Sequence, residues 1–188
     1  FIGLLSSGGV HSVIEHLLAL VAVALQNGRT KVYVHAITDG RDRPPQAAAD
    51  EIGEFEAELV GLRKQYPQAD VRIVSIIGRY FAMDRDKRWE RTKKAYDLFV
   101  LGTGEVAADP IAALEEKRQA NAQDEFLEPI SIRRGSESAI TIQDGDGLVF
   151  YNFRSARMRQ IVPALTAPTW SGFAREPIPQ VSSAVTLT

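Results

Sequence analysis

Short apolar runs alternate with stretches of helical periodicity along most of this 188-residue chain. The run KVYVHAIT at residues 31–38 is rich in β-branched residues and is bounded by turn residues, which predicts a strand. Before it, Ile14, Leu17, Val21 and Leu25 recur at the spacing of one helix face. Strands that alternate with helices build a largely parallel sheet. We therefore predict a three-layer α/β domain, with a mostly parallel sheet and helices on both faces.

The same patterns predict the bounds of the individual elements. Strands are expected at residues 1–5, 31–38, 71–77, 139–142, 148–152 and 181–188. The first helix is expected to run to about Asn27 with Ser12 as its N-cap, and the second from the Pro44-Pro45 pair to about residue 66. Three more helices are expected over residues 88–101, over residues 111–119 with Asp109 as N-cap, and over residues 155–165. Residues 123–138 show the least regular pattern.

Composition narrows the class of protein. A net charge of −2 gives no global bias toward nucleic acid or membrane surfaces, and neither is expected as a partner. The chain has no cysteine, which excludes disulfides and zinc–thiolate sites and fits a reducing, cytoplasmic location. With 188 residues, 45% of them hydrophobic, the chain suffices for a single domain. Both ends fall at apolar runs, so we expect the domain to be cut from a longer protein.

Four polar clusters follow predicted strands: SSGGVHS at residues 6–12, DGRD at 39–42, GRYFAMDRD at 78–86 and NFRSAR at 152–157. In an open α/β sheet the loops after parallel strands gather at one edge. The clusters would then bring together His11, Arg41, Asp42, Arg79, Arg85, Arg154 and Arg157. Five guanidinium groups with one imidazole and one carboxylate suit a small, highly anionic ligand such as a phosphorylated acid.

Each cluster also has an ordinary structural interpretation. A short glycine loop often forms only a tight turn, and a surface ion pair within DGRD contributes only about 0–1 kcal/mol. His16 falls within a predicted helix and His35 within a predicted strand, where structural roles are expected. Lys87, Arg88 and Arg91 are assigned to a charged helix face and are left out of the predicted site.

The order of these motifs resembles the cofactor-independent (2,3-bisphosphoglycerate-independent) phosphoglycerate mutases. The resemblance is carried by GLLSSGGVHS, DGRD followed by PP, GRYFAMDRDKRWER and DGDGLVFYNFR, which together cover nearly the whole chain. It implies a two-domain enzyme in which residues 1–188 are the inserted phosphotransferase, or substrate-holding, domain. The other domain is similar to alkaline phosphatase and carries a nucleophilic serine and two manganese ions. Its motif GNSEVGH is absent from this sequence, so the chain alone is expected to bind no metal and to be inactive.

The resemblance also implies a reaction and a role for each residue. The complete enzyme would interconvert 3-phosphoglycerate and 2-phosphoglycerate, in glycolysis and gluconeogenesis, through a phosphoserine on the other domain. The phosphoryl group would be held by Arg154 and Arg157, and the glycerate by Arg41, Arg79 and Arg85. Catalytic roles would fall on Asp42, which exchanges the hydroxyl proton, and on His11, which contacts the ligand near the phosphoryl group.

Three positions depart from the family pattern, which usually has Asp at Ser7, Thr at Arg43 and Asp at Ala156.

Expected partners are phosphoglycerate and the phosphatase-like domain of the same protein, and a monomer is expected. Two other hypotheses remain open. One is a non-catalytic module that binds small anions such as phosphate or carboxylate, and the other is a purely structural α/β domain.

Overall fold

The computed structural model describes residues 1–187, in which seven strands form one sheet. The strands are β1 (Ile2–Leu4), β2 (Lys31–Thr38), β3 (Asp70–Gly78), β4 (Glu105–Ala107), β5 (Ile130–Ile132), β6 (Gly147–Phe150) and β7 (Ser183–Thr186). Their order across the sheet is β4-β5-β3-β2-β1-β6-β7. β5 pairs antiparallel with β3 and parallel with β4, whereas β3, β2, β1, β6 and β7 are parallel to one another. The prediction of a mostly parallel sheet is confirmed.

Helices cover both faces of the sheet. They are α1 (Ile14–Gln26), α2 (Ala48–Gln65), α3 (Arg79–Ala82), α4 (Trp89–Leu101), α5 (Pro110–Gln119) and α6 (Ile161–Thr166). One core contains Leu17 of α1 and Phe55 of α2, together with part of α5. The other contains Phe99 of α4 and Ile161 of α6. The side chains of a strand alternate between faces, and accordingly Val34 of β2 belongs to the first core and Ile37 of β2 to the second.

Several predicted boundaries are wrong. Ser12 does not cap α1, because its hydroxyl donates to the Leu4 carbonyl and Val13 occupies the N-cap. Residues 139–142 form no strand, and the helix predicted over 155–165 is divided into a 3₁₀ turn, Ser155–Arg157, and α6. Elements that were not predicted at all are the four-residue α3, the three-residue strands β4 and β5, and a 3₁₀ turn at Asp124–Phe126.

Helix α2 begins at Ala48 rather than at the proline pair, and its cap comes from a distant part of the chain. The Ala48 N–H donates to the carboxylate of Asp124 at 2.8 Å. Burial raises the pKa of Asp124 to about 6, although the bond from Ala48 acts to lower it. A carboxylate 76 residues away therefore accepts one of the N–H groups that the first turn of α2 leaves without a partner inside the helix.

The 3₁₀ turn Asp124–Phe126 packs against the ends of β2 and β3. The Thr38 hydroxyl donates to the Asp124 carbonyl at 2.7 Å, and the Gly78 N–H donates to the Leu127 carbonyl at 2.8 Å. A Cβ on Gly78 would lie 2.6 Å from the backbone nitrogen of Leu127, so only glycine allows this approach. This turn consequently fixes the position of the loops that leave both strands.

The strand order reverses beside β1. The chain proceeds from β1 to β2 to β3 in one direction, whereas β6 lies on the other side of β1. Asn152, just after β6, accepts a hydrogen bond from the Leu4 N–H at 2.9 Å and joins the two strand ends. Ligands of open α/β sheets bind at such a reversal, outside the carboxyl ends of the strands. The four polar clusters all lie at this edge.

Candidate functional site

A cleft of about 210 Å³ opens at the carboxyl edge of the sheet. It is lined by Val10, His11, Arg41, Asp42, Arg79, Arg85, Arg154, Ala156 and Arg157. The structure thus brings all seven candidate residues to one place, from the loops after β1, β2, β3 and β6. Their roles toward a ligand stay predictions.

Arg79 is the buried centre of this cleft, with 3% of its side chain exposed. Its Nη1 donates to Asp39 Oδ1 at 2.7 Å and to Asp42 Oδ2 at 2.6 Å. Burial acts to lower the pKa of Arg79, but the bonds to the two carboxylates outweigh it and raise the pKa. Arg79 is therefore a fixed, fully compensated cation.

Asp39 is the carboxylate behind Arg79, and sequence reasoning did not include it in the site. It is 1% exposed and accepts the Ser6 hydroxyl at 2.6 Å. It also accepts the backbone N–H groups of Arg41 at 3.1 Å and Asp42 at 2.9 Å. Burial acts to raise its pKa, but the bonds from Ser6, Asp42 and Arg79 hold that pKa below its usual value. An Asp before Gly favours such a bond to its own turn, and that signal could have revealed Asp39.

His11 is neutral in this arrangement. Arg79 Nη2 lies 3.0 Å from His11 Nε2, and because a guanidinium can only donate, the imidazole proton must reside on Nδ1. Burial, and next the charge of Arg79, lower the pKa of His11 to about 4. The 3.6 Å separation of Nε2 from Asp42 Oδ2 is accordingly no ion pair at neutral pH. Within residues 1–187, the buried Nδ1 has no hydrogen-bond partner.

The outer part of the cleft carries uncompensated positive charge. Among the residues that the structure describes, Arg85, Arg154 and Arg157 make no ion pair with a carboxylate, whereas Arg41 lies 3.5 Å from Glu125. Burial, followed by the charges of Arg85, Arg79 and Arg41, lowers the pKa of Arg157. Guanidinium groups that face one another in this way favour an anion between them.

Glu51 of α2 holds the glycine loop through hydrogen bonds, and the sequence patterns did not predict this role. Its Oε1 accepts the N–H of Ser7 at 2.9 Å, the hydroxyl of Ser7 at 2.7 Å and the Nε–H of Arg43 at 3.0 Å. Two of the three unusual positions therefore contact the same buried carboxylate. Arg43 is held outside the cleft, while the third unusual position, Ala156, lines it.

Two of the cationic residues left out of the predicted site, Arg88 and Arg91, lie beside the cleft and pair with carboxylates. Arg91 stacks on the Tyr80 ring, with Cζ 3.6 Å from its centroid, and pairs with Asp84 at 3.5 Å. Arg88 pairs with Asp86 at 3.0 Å. Neither arginine lines the 210 Å³ cleft.

The other histidines have surroundings that suit structural roles. His35 Nδ1 lies 2.7 Å from the Ser75 hydroxyl in the core, and His16 packs on Phe153 at the surface. Over residues 1–187, no group of three His, Asp or Glu side chains could hold a metal ion. In the same span, no helix combines the length and the apolar character needed to cross a membrane.

Comparisons with known proteins agree on one family. Residues 1–188 match the family model described as "BPG-independent PGAM N-terminus". The chain is 43% identical over 188 residues to the 2,3-bisphosphoglycerate-independent phosphoglycerate mutase of Pseudomonas aeruginosa, covering 100% of the chain and 35% of that protein. It is 43% identical over 180 residues to the corresponding protein of Escherichia coli K12, covering 95% of the chain and 34% of that protein.

A solved structure of Leishmania mexicana phosphoglycerate mutase, determined at low cobalt concentration, superposes with a TM-score of 0.91 at 30% identity. The match covers 97% of the present chain and 34% of that one. The chain thus spans about a third of the length of the relatives it matches.

Proposed function

Because the chain belongs to the N-terminal-domain family of the 2,3-bisphosphoglycerate-independent phosphoglycerate mutases, we propose that it is the domain that holds phosphoglycerate during phosphoryl transfer. The complete protein would interconvert 3-phosphoglycerate and 2-phosphoglycerate in glycolysis and gluconeogenesis. The phosphoryl group would travel through a phosphoserine on a second, phosphatase-like domain. A cytoplasmic location and a monomeric state stay predictions.

The observation that carries this proposal is the charge of the cleft. Arg79 is compensated by Asp39 and Asp42, and Arg41 lies near Glu125. Arg85, Arg154 and Arg157 are left without carboxylate partners among residues 1–187. Phosphoglycerate brings about three negative charges at neutral pH, two on the phosphate and one on the carboxylate. Both groups match the bidentate geometry of a guanidinium.

In this proposal each cleft residue has a separate task. Arg154 and Arg157 hold the phosphoryl group, and Arg41, Arg79 and Arg85 hold the glycerate. As the glycerate hydroxyl oxygen attacks phosphorus and the serine oxygen leaves, the hydroxyl proton passes to the Asp42 carboxylate. In the reverse half-reaction Asp42 returns that proton to the departing glycerate oxygen. His11 is neutral, so it contacts the ligand without adding positive charge.

The two manganese ions are proposed for the second domain. The described residues of this chain offer no carboxylate–histidine set for them, and no step assigned to this chain passes through a metal. The chain alone is expected to show no mutase turnover, because the nucleophile motif is absent from its sequence. Steady conversion of 3-phosphoglycerate by the pure chain would contradict this expectation.

Calorimetric titration with 3-phosphoglycerate tests the binding role. The variant Arg154→Ala/Arg157→Ala should bind more than tenfold more weakly than the unaltered chain, since one charge-assisted hydrogen bond contributes roughly 1.5–3 kcal/mol. A matched control is Arg29→Ala/Arg134→Ala, which removes the same charge at exposed positions near the amino end of the sheet. Equal affinities of the two double variants would refute the proposed site.

The alternative, a non-catalytic anion module, makes a different prediction. Inorganic phosphate would then bind as tightly as phosphoglycerate, and the phosphatase-like domain of a relative, added in trans, would produce no mutase activity. Under the mutase proposal, phosphoglycerate binds more tightly, because its carboxylate engages a second set of guanidinium groups.

A further inference from the structure

The two oxygens of Asp42 have different surroundings. Oδ2 accepts Arg79 Nη1 at 2.6 Å, whereas Oδ1 accepts no hydrogen bond from any residue in the described range 1–187. An arginine and a carboxylate that meet freely tend to form two parallel hydrogen bonds, which would occupy both oxygens. Something in the fold prevents that fork between Arg79 and Asp42.

Asp39 is the group that prevents it. Its Oδ1 also accepts a hydrogen bond from Arg79 Nη1, at 2.7 Å, and Asp39 is not among the residues that line the cleft. Asp39 cannot move toward the cleft, because its other oxygen accepts the Ser6 hydroxyl and Oδ1 also accepts two backbone N–H groups. The guanidinium is thereby turned so that its other terminal nitrogen, Nη2, lies 3.0 Å from His11 Nε2.

We propose that Asp39 is a positioning residue, which makes Arg79 share its hydrogen bonds between two carboxylates. Asp42 Oδ1 is thereby left free for the ligand hydroxyl, and His11 Nε2 is kept in its hydrogen bond with Arg79. The consequence for Asp42 rests on the proposed function, because a free oxygen matters only if Asp42 accepts a proton from the ligand. The consequence for His11 can be observed without any ligand.

The variant Asp39→Asn tests the proposal with little change of shape. Its amide oxygen can still accept the two backbone N–H groups and Arg79, and its amide nitrogen can donate to the Ser6 oxygen. Only the negative charge is lost. The neutral amide holds Arg79 more weakly than the carboxylate does, so we expect Arg79 to form the bidentate pair with Asp42 and its Nη2 to leave His11.

Two measurements follow from this. Long-range proton–nitrogen NMR of the ligand-free chain should show His11 as the Nδ1–H tautomer, and Asp39→Asn should convert a substantial fraction to the Nε2–H tautomer. Affinity for 3-phosphoglycerate should fall about tenfold, as expected for loss of one charge-assisted contact. An unchanged His11 tautomer in folded Asp39→Asn overturns the proposal, whatever the affinity.

The matched control is Asp70→Asn, at the opposite end of β3. Asp70 is also a hydrogen-bonded, partly buried carboxylate, which accepts Arg72 Nε–H at 3.1 Å and the Tyr33 hydroxyl at 3.1 Å. Asp70→Asn should change neither the His11 tautomer nor the affinity for 3-phosphoglycerate. If Asp70→Asn and Asp39→Asn had equal effects, the cause would be a general loss of packing and the proposal would be overturned. If Asp39→Asn does not fold, Ser6→Ala replaces it, because it releases Asp39 while keeping the charge. Ser6→Ala should shift the tautomer and the affinity in the same direction, and no change in either overturns the proposal.

The two proposals can fail separately. If the unaltered chain does not bind 3-phosphoglycerate, the proposed function is wrong for this chain. The tautomer of His11 then still decides whether Asp39 orients Arg79.

Discussion

Arg79 and Arg85 line the same cleft, yet their removal should have very different effects on stability. Arg79 is buried and bonds two carboxylates, one of which, Asp39, is itself 1% exposed. Arg85 is exposed and makes no ion pair within residues 1–187. The variants Arg79→Ala and Arg85→Ala therefore compare a compensated cation with an uncompensated one at the same site.

The expected magnitudes follow from what each variant leaves behind. Arg79→Ala leaves the Asp39 charge buried without its cation, and breaking a buried pair in this way costs about 3–5 kcal/mol. This is a large part of the roughly 5–15 kcal/mol by which a domain is stable. Arg85→Ala removes only repulsion from neighbouring guanidinium groups, so the free energy of unfolding should change by less than about 0.5 kcal/mol.

Urea unfolding at neutral and mildly acidic pH measures both effects. In the unaltered chain the pKa of Asp39 lies below its usual value, so its contribution to stability is present above that usual value and disappears only at lower pH. In Arg79→Ala the pKa of Asp39 should lie higher than in the unaltered chain, because the bond from Arg79 that lowers it is lost. Protonation of Asp39 would then offset part of the destabilisation of the variant as the pH falls. The stability difference between the two proteins should accordingly be smaller at pH 5 than at pH 7. A loss below about 1 kcal/mol for Arg79→Ala, or a difference that does not shrink, would refute this reasoning.

Three further outcomes are expected. The free energy of unfolding should rise as the pH increases from 4 to 6.5. The reason is that burial lowers the pKa of His11 to about 4 and that of His35 to about 3, so that in this pH range these histidines take up protons mainly in the unfolded chain. In urea titrations His35→Gln should show a shallower rise. Gly78→Ala should destabilise the fold by more than about 2 kcal/mol, since its Cβ would meet the Leu127 backbone. Gly53→Ala in α2, whose Cβ would have no atom within 4 Å, should instead stabilise the fold by about 0.5–1 kcal/mol. Thermal unfolding measures both changes. Asp124→Ala should cost about 1 kcal/mol through loss of the α2 cap. Asp124→Asn keeps an acceptor for Ala48 but removes a group whose raised pKa opposes that rise, because folded Asp124 loses its proton only as the pH approaches 6. Stability should therefore rise more steeply with pH in Asp124→Asn than in the unaltered chain, and an unchanged slope would contradict this role of Asp124.

The parts of the fold that were predictable are those fixed by local pattern. β2 was predicted at residues 31–38 and forms over Lys31–Thr38, because β-branched residues between turn signals leave few other conformations. Asp109 and Pro110 begin α5 as expected, with the Asp109 side chain accepting the Ala112 N–H at 2.8 Å. The gathering of the four polar loops followed from the rule that parallel strands place their carboxyl ends at one edge.

The parts that were missed depend on partners distant in sequence. β5 is three residues long and exists because β3 and β4 pair with it on either side. The first turn of α2 is capped by Asp124, which no local window around the Pro44-Pro45 pair contains. Ser12 has the right side chain for an N-cap, but the Leu4 carbonyl takes its hydroxyl instead.

The same limit applies to the site. The seven charged and imidazole side chains that line the cleft could be named, because they follow strand ends as arginines, a histidine and an aspartate. Asp39 and Glu51 hold those residues in place from behind. Their importance depends on which of several nearby cations and hydroxyls each carboxylate reaches, and only the packed structure determines that.

The reversal of strand order beside β1 has a consequence for how the protein is made. His11 is synthesised before Arg154 and Arg157, but the cleft is complete only when all three are present and β6 has docked against β1. A ligand that needs both sides of the cleft therefore recognises only the finished domain and stabilises nothing shorter. Protection of nascent or truncated chains from protease by phosphoglycerate should appear abruptly, once the chain extends beyond residue 157, rather than growing with length.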